Sequence, residues 1–305
     1  MTTADNRLAT ALTGVSGILV TPFDASGELA PARQKPIIDR AIKAGVHILV
    51  ANGNTGEFYG LTTAEAEAMV HASAAHIDDR VPLVAGVGRS IGDAVALAGA
   101  SRRAGATALM VHQPPDPFTA PRGVVAYVQR VVDAGQGLPV ILYLRDDGIG
   151  LDAIETLCAI PGVVGVKWAS PTPLRLAEAI RRSDPSLIWV GGLAETWAPP
   201  FYAVGARGFT SGLINVFPEH SVAINAALEA GDYPRANTLI AAMAGFEALR
   251  ADERNGANVS VVKAALQILG HDCGAPRPPA AWPLSDAAQS GLRHMLERWN
   301  IRPIA

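Results

Sequence analysis

Short apolar segments alternate with longer amphipathic segments along most of the chain. Each short segment is followed by a stretch with apolar residues at i, i+3 and i+4, which is typical of a helix. The apolar segments are 17–23, 47–53, 82–88, 107–112, 139–144, 162–168, 187–192 and 205–212. Near-continuous apolar strands have both faces covered, as in a parallel sheet, and eight βα repeats close a barrel. The pattern therefore predicts a (β/α)8 TIM barrel.

The chain beyond Pro218 predicts the last barrel helix and then a C-terminal helical extension. Amphipathic segments occupy 232–251, 258–270 and 285–299. We therefore expect two parts: residues 1–217 as the barrel core with its N-terminal segment, and residues 218–305 as the last barrel helix plus a C-terminal helical region. Such an extension is expected to cap the barrel or to form an assembly surface.

Composition and charge exclude several classes of partner. The chain has 305 residues, of which 49% are hydrophobic and 17% charged, and its formal net charge is −3. This balance suits a globular enzyme and argues against a nucleic acid or an anionic membrane as partner. The N-terminal residues lack a signal-peptide pattern, and no apolar run is long enough to span a bilayer. We therefore expect a cytoplasmic protein.

The cysteines and histidines do not form a recognisable metal motif. Cys158 and Cys273 are far apart in the sequence and have no CxxC spacing, so we expect reduced thiols. The seven histidines form no HExxH pair. We therefore expect neither a metal nor another cofactor.

Polar residues collect at the carboxyl ends of the predicted strands. In barrel enzymes, this end carries the chemistry. The residues at these positions are Thr21, 52–57, Arg89, His112, Tyr143, Arg145, Lys167, Gly192 and Ser211. The barrel prediction therefore brings them together on one face.

Lys167 is the candidate nucleophile. It alone of the four lysines lies at the end of a predicted strand. Desolvation there lowers the pKa of the amine and leaves it neutral, so that it can attack a carbonyl. Tyr143 ends the preceding strand, and its hydroxyl can carry the proton that Schiff-base chemistry moves. We therefore predict Lys167 and Tyr143 as the catalytic residues.

The loop "GNTGEF" after the second strand is a candidate seat for a carboxylate. Glycines such as Gly53 let the backbone approach a ligand, while Asn54, Thr55 and the loop amides donate hydrogen bonds. An ordinary βα turn is the alternative for this loop.

Arg145 is two residues beyond Tyr143 and is expected to point to the same side, where it can bind distal hydroxyls or a second carboxylate.

The pattern resembles the Schiff-base lyases typified by dihydrodipicolinate synthase and N-acetylneuraminate lyase. The resemblance covers almost the whole chain and includes "VTPF", "GNTGE", "GVVGVKW", "GARGFTSGLINVFPE" and "NVSVVKAALQILG". It implies a Schiff base between Lys167 and a 2-keto acid, a proton relay through Tyr143, a carboxylate at Thr55 and its neighbours, and a homotetramer. Gly192 and Ser211 complete the predicted substrate-binding residues.

Departures from dihydrodipicolinate synthase concern the substrate. That enzyme has "GTTGE", and Asn54 replaces the first of its two threonines here. It has a tyrosine pair in the loop after the fourth strand, where this chain has "HQPPDPF". It also has an arginine following "YNVPSR", where this chain has "YLRDDG". "YLRDD" and "GGLAE" are closer to the 5-dehydro-4-deoxyglucarate dehydratase branch. We therefore expect a sugar-acid dehydratase or a pyruvate-dependent aldolase, with 4-hydroxy-tetrahydrodipicolinate synthase as an alternative.

A second alternative is a catalytically silent barrel that binds a sugar acid, because a fold does not fix a function. Such a protein would keep the loop but would not need Lys167. The sequence leaves open the exact substrate, the choice between dehydration and aldol chemistry, and the roles of Asp146, Asp147 and His112.

Overall fold

A closed barrel of eight parallel strands forms the centre of the molecule. The computed structural model describes residues 3–301 and 303. The strands are β1 (Val15–Ile18), β2 (Ile48–Ala51), β3 (Leu83–Val87), β4 (Ala108–His112), β5 (Val140–Leu144), β6 (Val163–Trp168), β7 (Ile188–Gly191) and β8 (Phe209–Ser211). Each strand pairs with the next in the sequence, and β8 pairs with β1. The predicted (β/α)8 barrel is confirmed.

The first strand differs from its predicted bounds. β1 begins before residue 17 and ends at Ile18, whereas the apolar pattern continues to Phe23. Phe23 instead forms an isolated antiparallel bridge with Leu29, so the chain has already left the barrel. Apolar periodicity continues through this turn because Leu19, Val20 and Phe23 are buried outside the sheet.

Helices connect the strands and cover the barrel. The helices are α1 (Thr3–Leu12), α2 (Lys35–Lys43), α3 (Thr63–Ile77), α4 (Ile91–Arg103), α5 (Pro121–Gly135), α6 (Leu151–Cys158), α7 (Pro173–Arg182), α8 (Ala198–Ala203), α9 (Pro218–Glu229), α10 (Tyr233–Asn255), α11 (Asn258–Ile268) and α12 (Asp286–Trp299). One helix from α2 to α9 follows each strand. None of the helices that the structure describes is both long and apolar enough to span a bilayer.

Helix α1 precedes the barrel and was not predicted. It packs against β1 and β7, and its Leu8 and Leu12 join the apolar cluster of the barrel interior. It therefore closes the amino-terminal end of the barrel. The opposite end of the barrel, where the strands have their carboxyl ends, is not covered by α1.

The barrel has an inner and an outer apolar cluster. Alternate residues of a strand point to opposite faces. On β5, Ile141 and Tyr143 belong to the inner cluster, and Leu142 and Leu144 to the outer cluster beneath the helices. This alternation aims Tyr143 into the barrel near the carboxyl end of its strand.

The C-terminal helices reach back to the strand ends. Helix α10 packs against α9, α11 and the turn Glu195–Trp197 after β7, and α11 contacts the turn Asn54–Gly56 after β2. Near the end of α10, Asp252, Glu253 and Arg254 leave helical geometry, and this kink directs the chain into α11. The turn between α10 and α11 therefore lies at the carboxyl end of the barrel.

Candidate active site

Lys167 lies at the centre of the candidate site. It is 4% exposed, and its Nζ is 3.8 Å from the centre of the Tyr143 ring. The two residues are in register on neighbouring strands. Burial lowers the pKa of Lys167 to about 7, and the nearby Arg145 charge lowers it further. A large fraction of the amine is therefore neutral near pH 7, as a nucleophile requires.

The hydroxyl of Tyr143 is held by Asn54. Asn54 donates a hydrogen bond from Nδ2 to the Tyr143 hydroxyl over 3.0 Å. Burial raises the pKa of Tyr143 to about 12, so its hydroxyl stays protonated. Because Asn54 occupies a lone pair of that oxygen, the O–H of Tyr143 remains free to donate to a ligand. Asn54 and Tyr143 thus form a fixed donor beside the amine.

The loop after β2 brings Thr55 into the site. Residues Asn54–Gly56 form a short 3-10 turn, and Thr21 anchors it by donating to the Gly56 carbonyl over 2.6 Å. Thr55 is buried and lines the cavity, whereas Gly53 does not. A Cβ at Gly53 would lie 2.4 Å from Ile18 Cγ2, so this glycine permits close packing against β1.

The carboxyl groups and the arginine of the loop after β5 have different surroundings. Arg145 is exposed and lines the cavity on the same side as Tyr143. Asp147 points away, because it accepts from Thr172 Oγ1 at 2.8 Å and pairs with Arg175 at 3.3 Å. Asp146 accepts from the Gly148 amide and caps the turn. Of the three, only Arg145 faces the cavity.

His112 supports the site from behind Tyr143. Its Nε2–H donates to the Asn52 carbonyl over 3.0 Å, and its ring packs edge-on against Tyr143 with the ring centres 5.0 Å apart. Burial, followed by the charge of Lys167, lowers the pKa of His112 to about 3. His112 is therefore neutral at physiological pH and acts as a packing partner.

Gly192 makes room for the lysine stem. A Cβ at this position would lie 2.8 Å from the Trp168 carbonyl oxygen and 3.0 Å from Lys167 Cγ. Gly192 also lines the cavity. Its predicted place in the site therefore has a steric reason.

Ser211 lies outside the cavity. Side chains alternate along β8, so Thr210 faces the cavity together with Gly212, while Ser211 faces the helices. Its hydroxyl is 3.0 Å from Ser221 Oγ and accepts from the Ile214 amide. Ser211 therefore joins β8 to α9, and the structure does not bring it together with the other predicted substrate-binding residues.

The C-terminal region supplies cavity residues that the sequence prediction missed. The cavity has a volume of about 420 Å³. Glu247, Arg250 and Asn258 line it from α10 and α11, beside Lys167, Tyr143 and Thr55 from the barrel.

Glu195 lies fully buried and accepts from Ser221 Oγ over 2.6 Å. Burial raises the pKa of Glu195, and the Glu247 carboxylate raises it further.

The C-terminal region also fixes the loop after β2. Lys263 of α11 is 1% exposed and pairs with Glu57 at 2.6 Å. The Arg277 amide donates to the other oxygen of Glu57 over 2.7 Å. The helical extension thus holds the loop that carries Asn54 and Thr55.

Metal-ligating side chains are dispersed in the described part of the chain. Within residues 3–301 and 303, no three His, Cys, Asp or Glu side chains are grouped to hold a metal ion. Cys158 and Cys273 are buried free thiols.

Comparison with curated proteins identifies relatives in two activity groups. The chain is 30% identical over 272 residues to a probable 5-dehydro-4-deoxyglucarate dehydratase of Rhizobium rhizogenes, covering 87% of this chain and 89% of the relative. It is 31% identical over 291 residues to 4-hydroxy-tetrahydrodipicolinate synthase of Exiguobacterium sibiricum, covering 93% and 96%.

Solved structures and a family model agree with this relationship. Dihydrodipicolinate synthase from Bacillus clausii superposes with a TM-score of 0.92 at 34% identity, covering 96% of this chain and 100% of that one. The model of the dihydrodipicolinate synthetase family matches residues 11–299. Enzymes of this family are lyases that form a lysine Schiff base without a cofactor. The chain therefore belongs to the dihydrodipicolinate synthetase family.

Proposed function

We propose that the protein is a sugar-acid dehydratase of the 5-dehydro-4-deoxyglucarate type, with Lys167 as the Schiff-base nucleophile and Tyr143 as the proton carrier. The observation that carries the proposal is the buried Lys167 amine, whose pKa is lowered to about 7, over the ring of a tyrosine in a cavity. Burial without a neutralising carboxylate is typical of a reactive lysine.

The reaction begins when a 2-keto acid places its carboxylate at Thr55. Neutral Lys167 attacks the C2 carbonyl, and loss of water gives an imine. The imine nitrogen withdraws electrons, so a C3 proton leaves and an enamine forms. Tyr143 relays protons: its hydroxyl takes up the proton released at C3 as it passes its own proton to the C4 hydroxyl, which leaves as water. Hydrolysis of the remaining imine releases the product and restores the Lys167 amine.

The choice of a diacid rests on relatives and on charge. Several curated relatives carry the dehydratase name. Arg145 lies at the cavity rim and can pair with a carboxylate at the far end of the substrate. Two features distinguish the chain from the pattern of dihydrodipicolinate synthase. Asn54 makes the hydrogen bond to Tyr143, and the loop 112–118 has no tyrosine.

Two assays test the proposal. Borohydride reduction in the presence of pyruvate should add a covalent group that peptide mapping assigns to Lys167. Turnover should then be measured with 5-dehydro-4-deoxyglucarate, with 2-keto-3-deoxy monoacids, and with pyruvate plus aspartate semialdehyde. Efficient use of aspartate semialdehyde would establish the synthase activity instead, which the Exiguobacterium relative supports.

Arg145→Ala tests whether Arg145 binds the second carboxylate of a diacid substrate. We expect the Michaelis constant for the diacid to rise about 10-fold to 150-fold, the value of one charge-assisted contact, while that of a monoacid changes little. Equal losses for both would make Arg145 a structural residue. The homotetramer is a further expectation, which light scattering of the purified protein would test.

A further inference from the structure

Arg250 reaches the cavity from the C-terminal helical region. The residue is 6% exposed. Nη1 donates to Glu247 Oε1, and Nη2 donates to Asn258 Oδ1 over 2.8 Å. Nε is buried, and the described residues offer it no hydrogen-bond partner. The guanidinium therefore has N–H groups left to bind a ligand.

Gly212 lies against both Arg250 and Thr55. A Cβ at Gly212 would lie 2.5 Å from Arg250 Nη2 and 3.2 Å from Thr55 Oγ1. The guanidinium and the threonine hydroxyl therefore border the same small volume. Any side chain on Gly212 would occupy part of it.

The charges around this space favour an anion. Two arginines, Arg145 and Arg250, line the cavity with one glutamate, Glu247. Burial and then the Glu247 carboxylate raise the pKa of the neighbouring Glu195 to about 7, which reduces its negative charge near neutral pH. Glu247 pairs with one end of the Arg250 guanidinium, and the residue still lines the cavity beside Thr55.

We propose that Arg250 is a substrate-binding residue that, with Thr55, holds the carboxylate next to the reacting carbonyl. This inference rests on the proposed function. The carboxylate accepts from the Thr55 hydroxyl and the guanidinium where both line the cavity, and the absence of a side chain on Gly212 lets the guanidinium keep this position. Glu247 and Asn258 orient the guanidinium from its other side. The C-terminal region thus supplies part of the substrate seat.

The test compares two carbonyl compounds that differ in charge. Borohydride trapping should be measured against the concentration of pyruvate and of its neutral ethyl ester. We expect Arg250→Met to raise the half-saturating concentration of pyruvate about 10-fold to 100-fold and to leave that of the ester nearly unchanged. Gly212→Ala should show the same selectivity, because the new Cβ displaces the guanidinium. Arg250→Lys should recover part of the pyruvate affinity.

Arg182→Met is the matched control. Arg182 pairs with Asp152 and Glu155 on the outer helices, so its removal should change neither titration. Circular dichroism and thermal melting verify the fold of each variant. Equal weakening for pyruvate and the ester, or no weakening for pyruvate, would overturn the role of Arg250.

A second measurement separates this inference from the proposed chemistry. Calorimetry with Lys167→Met measures pyruvate binding without imine formation. Adding Arg250→Met should weaken that binding about 10-fold or more. If wild-type protein forms no adduct, the Schiff-base role of Lys167 fails, yet this titration still decides Arg250. Unchanged pyruvate binding in the double variant would refute the proposal.

Discussion

Lys167 and Lys263 are both buried and both lie over an aromatic ring, but only Lys263 has a carboxylate partner. Lys167 Nζ is 3.8 Å from the centre of the Tyr143 ring, and Lys263 Nζ is 4.2 Å from that of Phe23. Lys263 pairs with Glu57 at 2.6 Å. Burial lowers the pKa of Lys263, but the Glu57 carboxylate opposes that shift. For Lys167 the nearby charge is Arg145, which adds to the effect of burial.

The difference shows that burial alone does not identify a reactive lysine. A paired buried ammonium keeps its charge and fixes structure, because losing either partner leaves an isolated charge. An unpaired buried amine readily sheds its proton and can attack a carbonyl. Lys263 therefore holds the loop after β2, and Lys167 is available for chemistry.

The largest effect expected concerns adduct formation. Lys167→Met should abolish the borohydride-trapped pyruvate adduct, because no amine remains at that position. Lys167→Arg should be equally inactive, since a guanidinium keeps its proton. Intact-mass spectrometry measures the adduct, and circular dichroism verifies the fold. Lys263→Met should still give an adduct on Lys167, although in lower yield. An adduct that persists without Lys167 would refute its role.

Tyr143→Phe makes the aromatic neighbour of Lys167 the same as that of Lys263. The ring stays beneath the amine, and only the hydroxyl is lost. Turnover should fall about 100-fold to 10,000-fold, the range for a positioned proton carrier, while pyruvate binding weakens less. Steady-state kinetics and calorimetry measure the two effects. Turnover within about threefold of wild type would remove Tyr143 from the mechanism.

Opposite effects on stability are expected at the two lysines. Lys263→Met leaves the Glu57 carboxylate buried and unpaired, and should lower the free energy of unfolding by about 3 to 5 kcal/mol. Lys167→Met removes an amine whose burial costs free energy, and should raise it by about 1 to 4 kcal/mol at pH 7. Urea unfolding measures both values.

The direction of the stability change caused by Lys167→Met can be checked by measuring the free energy of unfolding at several pH values. The pKa of about 7 in the folded protein lies below the ordinary lysine pKa of 10.5, so between these two pH values the unfolded chain binds more protons. The cost of burying Lys167 is therefore complete below pH 7 and declines as the pH rises toward 10.5. The advantage of Lys167→Met should shrink over the same interval. A constant advantage would attribute it to packing instead.

The strand-end residues were predictable because the barrel has a simple geometry. Once βα repeats were recognised, Tyr143 and Lys167 had to end neighbouring strands, and the register confirms their adjacency. The same reasoning included Ser211, which the structure places outside the cavity. The bounds of β8, and hence the alternation of its side chains, are not visible in a segment with three glycines.

Residues from the C-terminal helices were not predictable in the same way. The amphipathic pattern predicted α10, but not which of its polar residues reaches the strand ends. Arg250 and Glu247 enter the cavity because α10 packs against α9 and against the turn Glu195–Trp197 that follows β7. Helix α1 was missed because its short N-terminal pattern gives no sign of what it covers.

The smallest expected effect is a shift in the pH midpoint of adduct formation when the Arg145 charge is removed. This charge distinguishes the surroundings of Lys167 from those of Lys263. The rate of adduct formation should rise with pH and level off above a midpoint near 7, because only the neutral amine attacks. Arg145→Met removes a positive charge that disfavours the ammonium, so the pKa of Lys167 and the midpoint should move upward. The shift should be modest, since burial is the larger cause and Arg145 is exposed to solvent. Trapping rates with ethyl pyruvate measure the shift, because this ester has no carboxylate for Arg145 to attract. Arg182→Met should leave the midpoint unchanged. A midpoint that moves downward would show that Arg145 does not act on Lys167 through its charge.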